Sequence, residues 1–281
     1  MKFAYFPGCT DHSSSYEYGR STEAVLETLG VELVEIEDWN CCGAAATHSL
    51  HRLLSLCLPA RNIWKAQEAK AGPLVVPCAG CFSYLKRTEH VLQHNEAERK
   101  EIEEIVGFTY DPSIEILALM DVFLNRIGLE KIREKVKRPL KGLKTACYYG
   151  CALVRHPKIT QLDHPENPQY LDRLMRGIGA EPVEWSYKTD CCGADLAMTY
   201  ADVVQTLVGR IVSMAKEADA HCIVTSCGLC TMNLEMRQEA GLPIFYFTEL
   251  IGVAFEIPRR EHWWKKHLIN PKPLLDSLGL S

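Results

Sequence analysis

Ten of the thirteen cysteines fall into two sets of five. Cys41-Cys42-Gly43 recurs as Cys191-Cys192-Gly193. Each copy has a lone cysteine upstream, Cys9 in Phe-Pro-Gly-Cys and Cys151 in Tyr-Tyr-Gly-Cys. Each also has a Cys-x-x-Cys downstream, Cys78/Cys81 and Cys227/Cys230. A buried cysteine packs like a small hydrophobe, but packing gives no reason for adjacent cysteines to recur at parallel spacings. A disulfide framework is a poor explanation too, because the count is odd and cytosolic thiols stay reduced. Metal ligation by thiolates is the better reading.

Four sulfurs suit a zinc ion or a cubane iron–sulfur cluster. Five suit neither simply. Neighbouring side chains on an extended backbone point in opposite directions, so Cys41 and Cys42 reach one small ion together only with strain. They can reach different irons of a larger cluster. Gly43 and Gly193 remove a side chain where the backbone is expected to pass close to such a cluster. Backbone N–H groups at the two Cys-x-x-Cys helix starts favour the negative charge of thiolate-bound metal. Zinc in one or both sets stays open on the residues alone. Cys57, Cys147 and Cys222 lie outside the repeat and read as packing residues.

The elements that must position these sulfurs are also written twice. Lys2 to Cys9 matches Lys144 to Cys151, a short buried strand ending in Gly-Cys. Helical patterns follow over 21–29 and 170–178, stopped at Gly30 and Gly179. Second strands, 31–35 and 180–184, lead into Cys-Cys-Gly. Long helical patterns then run over 44–71 and 196–218. Third strands, 74–77 and 222–226, deliver each Cys-x-x-Cys where a helix begins. The copies then diverge. The first adds a charged helix over 84–105, an Ile114-Glu-Ile-Leu strand and an apolar helix over 118–127. The second reaches its equivalents, 244–247 and 249–255, by a shorter link. The segment 131–143, dense in Lys and Arg, is the natural boundary, and 156–167 reads as a loop. Alternating strands and helices predict an α/β architecture: two tandem pseudo-twofold-related domains, each a small mostly parallel sheet flanked by helices. Chemistry gathers at the carboxyl ends of such strands, where all three cysteine motifs fall in each half.

The rest of the composition is that of an ordinary soluble protein. The 281 residues are 47% hydrophobic and 24% charged, with net charge −5. That balance argues against a nucleic-acid footprint, which needs a basic face. No apolar run reaches the roughly 18 residues of a membrane span. The N-terminal apolar piece, Phe3 to Phe6, is too short for a signal-peptide core. It reads as the first buried strand of a cytoplasmic protein.

The cysteine pattern resembles that of the CCG (cysteine-rich) domain family, and the chain over residues 1–257 is similar to the HdrB subunit of heterodisulfide reductase. The family motif is Cys, some thirty to forty residues, Cys-Cys-Gly, about thirty-five residues, Cys-x-x-Cys. Here 31 residues separate Cys9 from Cys41 and 35 separate Cys42 from Cys78. In the second copy the spacers are 39 and 34. The resemblance implies two noncubane [4Fe-4S] clusters. Cys9, Cys41, Cys42, Cys78 and Cys81 would hold one, and Cys151, Cys191, Cys192, Cys227 and Cys230 the other. It further implies reductive cleavage of a disulfide of the CoM-S-S-CoB type between the clusters, with no essential side-chain base. The implied partners are an HdrC-like subunit with cubane [4Fe-4S] clusters and an HdrA-like flavoprotein. The domains would then be 1–138 and 139–257, with 258–281 as a C-terminal extension. Two other functions stay open: a CCG-domain redox subunit acting on a quinone, carrier-bound sulfur or another disulfide, and a zinc-stapled scaffold.

A few further residues invite a role. His48 and His51 follow the first Cys-Cys-Gly and are either helix surface or proton donors. Arg20, Arg155 and Lys188 lie near ligand loops; a solvated face is the expectation for each, an anionic substrate the alternative. The segment His262-Trp263-Trp264-Lys265-Lys266-His267 joins aromatics to cations. It is expected to dock another protein of the complex, or else to cover the core.

Overall fold

The computed structural model describes residues 1–239 and 241–281. It contains two four-stranded sheets of identical topology, β2-β1-β3-β4 and β6-β5-β7-β8, with every strand pair parallel. The first half runs β1 (Lys2–Tyr5), α1 (Tyr16–Thr28), β2 (Glu32–Glu35), α2 (Ala44–Leu50), α3 (Arg52–Ala69), β3 (Leu74–Val76), α4 (Ala79–His94), α5 (Glu96–Val106), β4 (Ile116–Ala118) and α6 (Leu119–Asp121). A π-helical turn over Val122–Ile127 and α7 (Leu129–Lys135) complete it. The second half runs β5 (Lys144–Cys147), α8 (Cys151–Val154), α9 (Pro157–Thr160), α10 (Tyr170–Gly177), β6 (Glu181–Pro182), α11 (Ala201–Glu217), β7 (Cys222–Thr225), α12 (Gly228–Arg237), β8 (Ile244–Tyr246) and α13 (Phe247–Ala254). A 3₁₀ segment, Arg260–Lys266, and α14 (Lys272–Ser277) follow.

Sequence dictates the sheets directly. β3 and β7 are buried along their whole length and are apolar but for Thr225, as central parallel strands are. β2 is only half-buried, in keeping with its edge position. Each sheet reverses its strand order beside its first strand, and a crevice opens there at the carboxyl ends. Gly8-Cys9 leaves β1, Cys41-Cys42 follows β2, and Cys78 caps α4 just after β3.

The two halves exchange helices. α1 of the first packs on α13 of the second, and α10 of the second packs on α6 and the π-turn of the first. Tyr18 and Tyr246 stack across this interface with centroids 4.3 Å apart, an arrangement worth about 1 kcal/mol beyond the area it buries. Ser21 and Thr248 share a 2.7 Å hydrogen bond beside them.

Several local expectations change. The predicted helix over 44–71 is two helices, broken at His51, whose extended backbone starts α3. The 196–218 pattern becomes a 3₁₀ turn, Ala194–Leu196, and a helix starting at Ala201. The charged 84–105 helix is α4 and α5, separated where Asn95 accepts a hydrogen bond from the Glu98 amide as a helix cap. The 156–167 loop contains α9, which packs on α4 across the halves. The C-terminal tryptophans cover the core: Trp263 and Trp264 are buried. His267 is enclosed between Glu235 (2.6 Å) and Glu249 (3.0 Å). Those rings are therefore withdrawn from any docking surface.

Candidate metal centres

Each half gathers its five cysteines at the carboxyl end of its sheet. In the first, Cys9 contacts Cys41, Cys41 contacts Cys42, Cys42 Sγ lies 3.3 Å from Cys81 Sγ, and Cys81 contacts Cys78. In the second, Cys151 contacts Cys191, Cys192 Sγ lies 3.5 Å from Cys230 Sγ, and Cys230 contacts Cys227. The thiols meet in pairs. Among the described residues no three Cys, His, Asp or Glu side chains converge on one point as a single metal ion requires. Cys57, Cys147 and Cys222 are buried away from these rows, in α3, β5 and β7.

Cleavage of a substrate between the clusters, as the resemblance implies, would have the two Cys-Cys-Gly turns face one another. In the structure it is the Cys-x-x-Cys motifs that meet, with Cys78 in hydrogen-bond contact with Cys227. Tyr18 holds this junction. Its hydroxyl lies 3.3 Å from the carbonyls of both Pro77 and Ser226, the residues just before the two cysteines. One hydroxyl proton serves one carbonyl at a time, so the tyrosine spans both ligand loops at once. Nothing in the local sequence marks Tyr18, because its role exists only across the interface.

The glycines divide their work differently from the sequence expectation. Gly43 and Gly193 adopt positive φ, +84° and +76°. Their missing side chains make room for Thr47 and Leu58 in one half and Val204 and Leu207 in the other, and not for sulfur. Their amides point at the preceding thiols, Gly43 N at 3.4 Å from Cys41 Sγ and Gly193 N at 3.3 Å from Cys191 Sγ. The glycines that skirt the sulfurs are Gly8 and Gly150. A Cβ on Gly8 would lie 3.2 Å from Cys81 Sγ, and one on Gly150 3.1 Å from Cys230 Sγ. Any side chain there would fill the space beside the thiols. An all-sulfur donor set lined by glycine backbone and N–H groups fits an iron–sulfur group.

Proton sharing along the rows decides which sulfurs ionise first. Cys41 falls far below the ordinary thiol range because Cys42, Cys9 and the Gly43 amide all donate to it. Cys191 is pulled down to about 6, chiefly by Cys151, with help from the Gly193 amide. Cys227 is lowered by donation from Cys230 and Cys78, while Cys78 is correspondingly raised. The donors Cys9 and Cys151 are pushed up. Each half thus presents a preformed thiolate at its Cys-Cys-Gly, the ionisation a metal requires.

The charged and basic residues near the ligand loops separate. Lys188 is buried and ion-paired to buried Asp172 at 2.9 Å, so it faces neither solvent nor substrate. Arg20 is exposed and pairs with Glu23. His48 and His51 are exposed. Arg155 lies at the rim of a cleft of about 260 Å³ between the halves, formed by α4 on one side and α8 on the other. All five cysteines of the second set line that cleft, and among the described residues none of the first set does. No helix among the described residues is long and apolar enough to cross a membrane.

The chain is similar to known proteins in sequence and in fold. Residues 3–86 and 145–235 match the family described as CCG, cysteine-rich domain. The chain is 30% identical over 275 residues to the 8-methylmenaquinol:fumarate reductase membrane anchor subunit of Wolinella succinogenes, covering 92% of this chain and 94% of that one. It is 27% identical to the HdrB subunit of the ferredoxin/F(420)H(2)-dependent CoB-CoM heterodisulfide reductase of Methanosarcina acetivorans, covering 90% and 89%. A structure of a hypothetical protein from Helicobacter pylori superposes with a TM-score of 0.72 at 12% identity, over 95% of this chain. The present chain spans about half (51%) of that protein, and the likeness is one of fold.

Proposed function

The chain belongs to the CCG cysteine-rich domain family, and from that premise we propose that it is the catalytic iron–sulfur subunit of a heterodisulfide-reductase-like complex that reductively cleaves a disulfide. The observation that carries the proposal is the pair of complete five-thiol rows, joined at Cys78 and Cys227, with the second row lining a cleft between the halves. In this reading Cys9, Cys41, Cys42, Cys78 and Cys81 hold one noncubane [4Fe-4S] cluster and Cys151, Cys191, Cys192, Cys227 and Cys230 the other. Clusters bound there would supply single electrons, and a disulfide takes two electrons and two protons to become two thiols.

The chain's own residues do the positioning. Gly43 and Gly193 amides hold negative charge on Cys41 and Cys191. Tyr18 keeps Cys78 against Cys227, which keeps the two sites within short electronic reach of one another. Asn233 donates to the Cys192 carbonyl at 3.1 Å and steadies the second Cys-Cys-Gly turn. The heterodisulfide reductase relative supports this reading, and with it an HdrC-like electron donor and an HdrA-like flavoprotein as partners.

A second reading, oxidation of a quinol, is favoured by the Wolinella relative, which matches nearly the whole chain. One experiment separates the readings. Anaerobically prepared protein is analysed for iron and acid-labile sulfide, reduced with a viologen, and offered a disulfide or a water-soluble quinone. About eight iron per chain and stoichiometric release of two thiols per disulfide support the first. Quinone reduction without thiol release supports the second. Zinc without sulfide refutes both.

A further inference from the structure

The two halves are copies, yet the two clefts between them are not. On one side the Cys-x-x-Cys helix of the second half, α12, meets the loop after Cys9. There Gly228 sits so close that a Cβ would lie 2.0 Å from Ser15 Oγ and 2.9 Å from Thr10 Oγ1. That side is closed by packing. On the other side α4 faces α8, and the same relationship is open: Ala79, Gly80 and Ala152 line the cleft.

The open side carries two arginines and a histidine. Arg87 and Tyr84 come from α4, and Arg155 and His156 from the segment after Cys151. Counting from the matching cysteines, Arg155 and His156 stand where the first half has Ser13 and Ser14, and Arg87 stands where the second half has Met236. Met236 is exposed. Duplication alone gives no reason for three basic residues to collect about one of two equivalent positions.

Arg87 is held ready for a ligand. Its guanidinium lies over the Tyr84 ring at 5.5 Å, and its Nε is buried with no hydrogen-bond partner among the described residues. A buried donor left unpaired is costly, and a guanidinium is the side chain best matched to carboxylate, sulfonate or phosphate oxygens. Arg155 reaches the Thr189 carbonyl, at 3.4 Å. His156 is held at φ +62°, an uncommon conformation for a non-glycine residue. One carboxylate, Asp195, shares the rim. Beyond the rim the cleft continues through Tyr84, Arg87 and His156 into a groove of about 460 Å³ that also borders His48 and His90.

We propose that this open cleft binds the anionic end of a small organic substrate, a carboxylate, sulfonate or phosphate, on Arg87, Arg155 and His156. The reducible group then lies inward, toward Cys151 and Cys191. With the other side closed by packing, substrate entering this cleft approaches the second thiol row. The inference rests on the cleft being the substrate site of the proposed reductase.

The test compares two disulfides on the holoprotein: dithiodipropionate, which carries carboxylates, and hydroxyethyl disulfide, which is neutral. Binding is read by titration calorimetry, independently of turnover. The cleft predicts that dithiodipropionate binds roughly ten- to hundredfold more tightly, the range expected for losing or gaining charge-assisted hydrogen bonds. Arg87→Met and Arg155→Ser, which install the residues of the opposite half, each remove most of that preference while iron content and the visible spectrum stay unchanged. Arg87→Lys restores part of it. Equal binding of the two disulfides, or a preference untouched by both variants, overturns the subsite. If neither disulfide is turned over, the disulfide-reductase reading fails, and the binding preference still decides the subsite on its own.

Discussion

Lys188 offers the most decisive test of how the second thiol row is held. Its ammonium is buried against the buried carboxylate of Asp172 at 2.9 Å, and it also reaches the Pro168 carbonyl at 3.3 Å. Tyr149 donates its hydroxyl to the other Asp172 oxygen at 2.6 Å. The backbone completes the latch: the amides of Tyr149 and Gly150 both donate to the Lys188 carbonyl, at 2.8 and 3.1 Å. This one residue therefore ties α10 to the loops that carry Cys151 and Cys191. In Lys188→Met the carboxylate stays buried and loses its cationic partner, a change that costs about 3–5 kcal/mol, a large share of the roughly 5–15 kcal/mol that holds a domain folded. Urea unfolding followed by circular dichroism, with m unchanged, should report a loss in that range. The double variant Lys188→Met, Asp172→Asn removes the stranded charge and should recover at least half of it. Iron bound at the second row should fall further than iron at the first. A single-variant cost below about 1 kcal/mol, or a double-variant cost equal to the sum of the singles, would refute the latch.

Other outcomes follow from the same geometry. Gly150→Ala puts a methyl group beside Cys230 Sγ and should cut iron loading by roughly half while the far-ultraviolet spectrum is kept; iron analysis at full loading would contradict the cradle. Cys42→Ala and Cys192→Ala should each lose one cluster's iron, measured as about four fewer iron per chain, together with disulfide reduction. Burial raises Glu17 from 4.5 to about 7 and Asp11 from 3.8 to about 7. Both folded values lie above the unfolded ones, so the folded state holds extra protons, and stability declines as pH rises through 4–7. Glu17→Gln should flatten this decline by about 3 kcal/mol across that window, read from urea midpoints; an unchanged slope would show that Glu17 titrates normally. His267, raised to about 11 by Glu249 and Glu235 against the opposing effect of burial, keeps its proton through that window and contributes stability that is full below about 6.5 and is lost progressively as pH rises from there to 11.

Much of this was legible in the chain because it is local and repeated. Strands such as Leu74–Val76 and Cys222–Thr225 are short apolar runs closed by a Cys-x-x-Cys, and a repeat doubles every such signal. The positions of the ten cysteines at strand ends follow from the same reading. The interface was not legible. Tyr18 looks like any helical tyrosine until Pro77 and Ser226 are brought to it. Lys188 reads as surface because it lies in a loop and its partner, Asp172, is sixteen residues back on α10. The basic, aromatic stretch near the C-terminus suggested an exposed patch, but its tryptophans and His267 pack inward, since Glu235 and Glu249 supply the countercharge that a buried imidazolium needs. Gly43 misled for a related reason. Its need for positive φ is local, whereas what fills the space beside it, Thr47 and Leu58, comes from the helices that follow.

The exchange of helices between the halves bears on how this protein can be taken apart. α1 completes the hydrophobic surface of the second half and α10 that of the first, and the Tyr18–Tyr246 and Ser21–Thr248 contacts exist only when both are present. A gene split between codons 138 and 139 should therefore give two fragments that are insoluble or unfolded when expressed singly and that reassemble when expressed together. A chain of this design can shed the thiols of one half, but it has to keep that half as the wall against which the other folds.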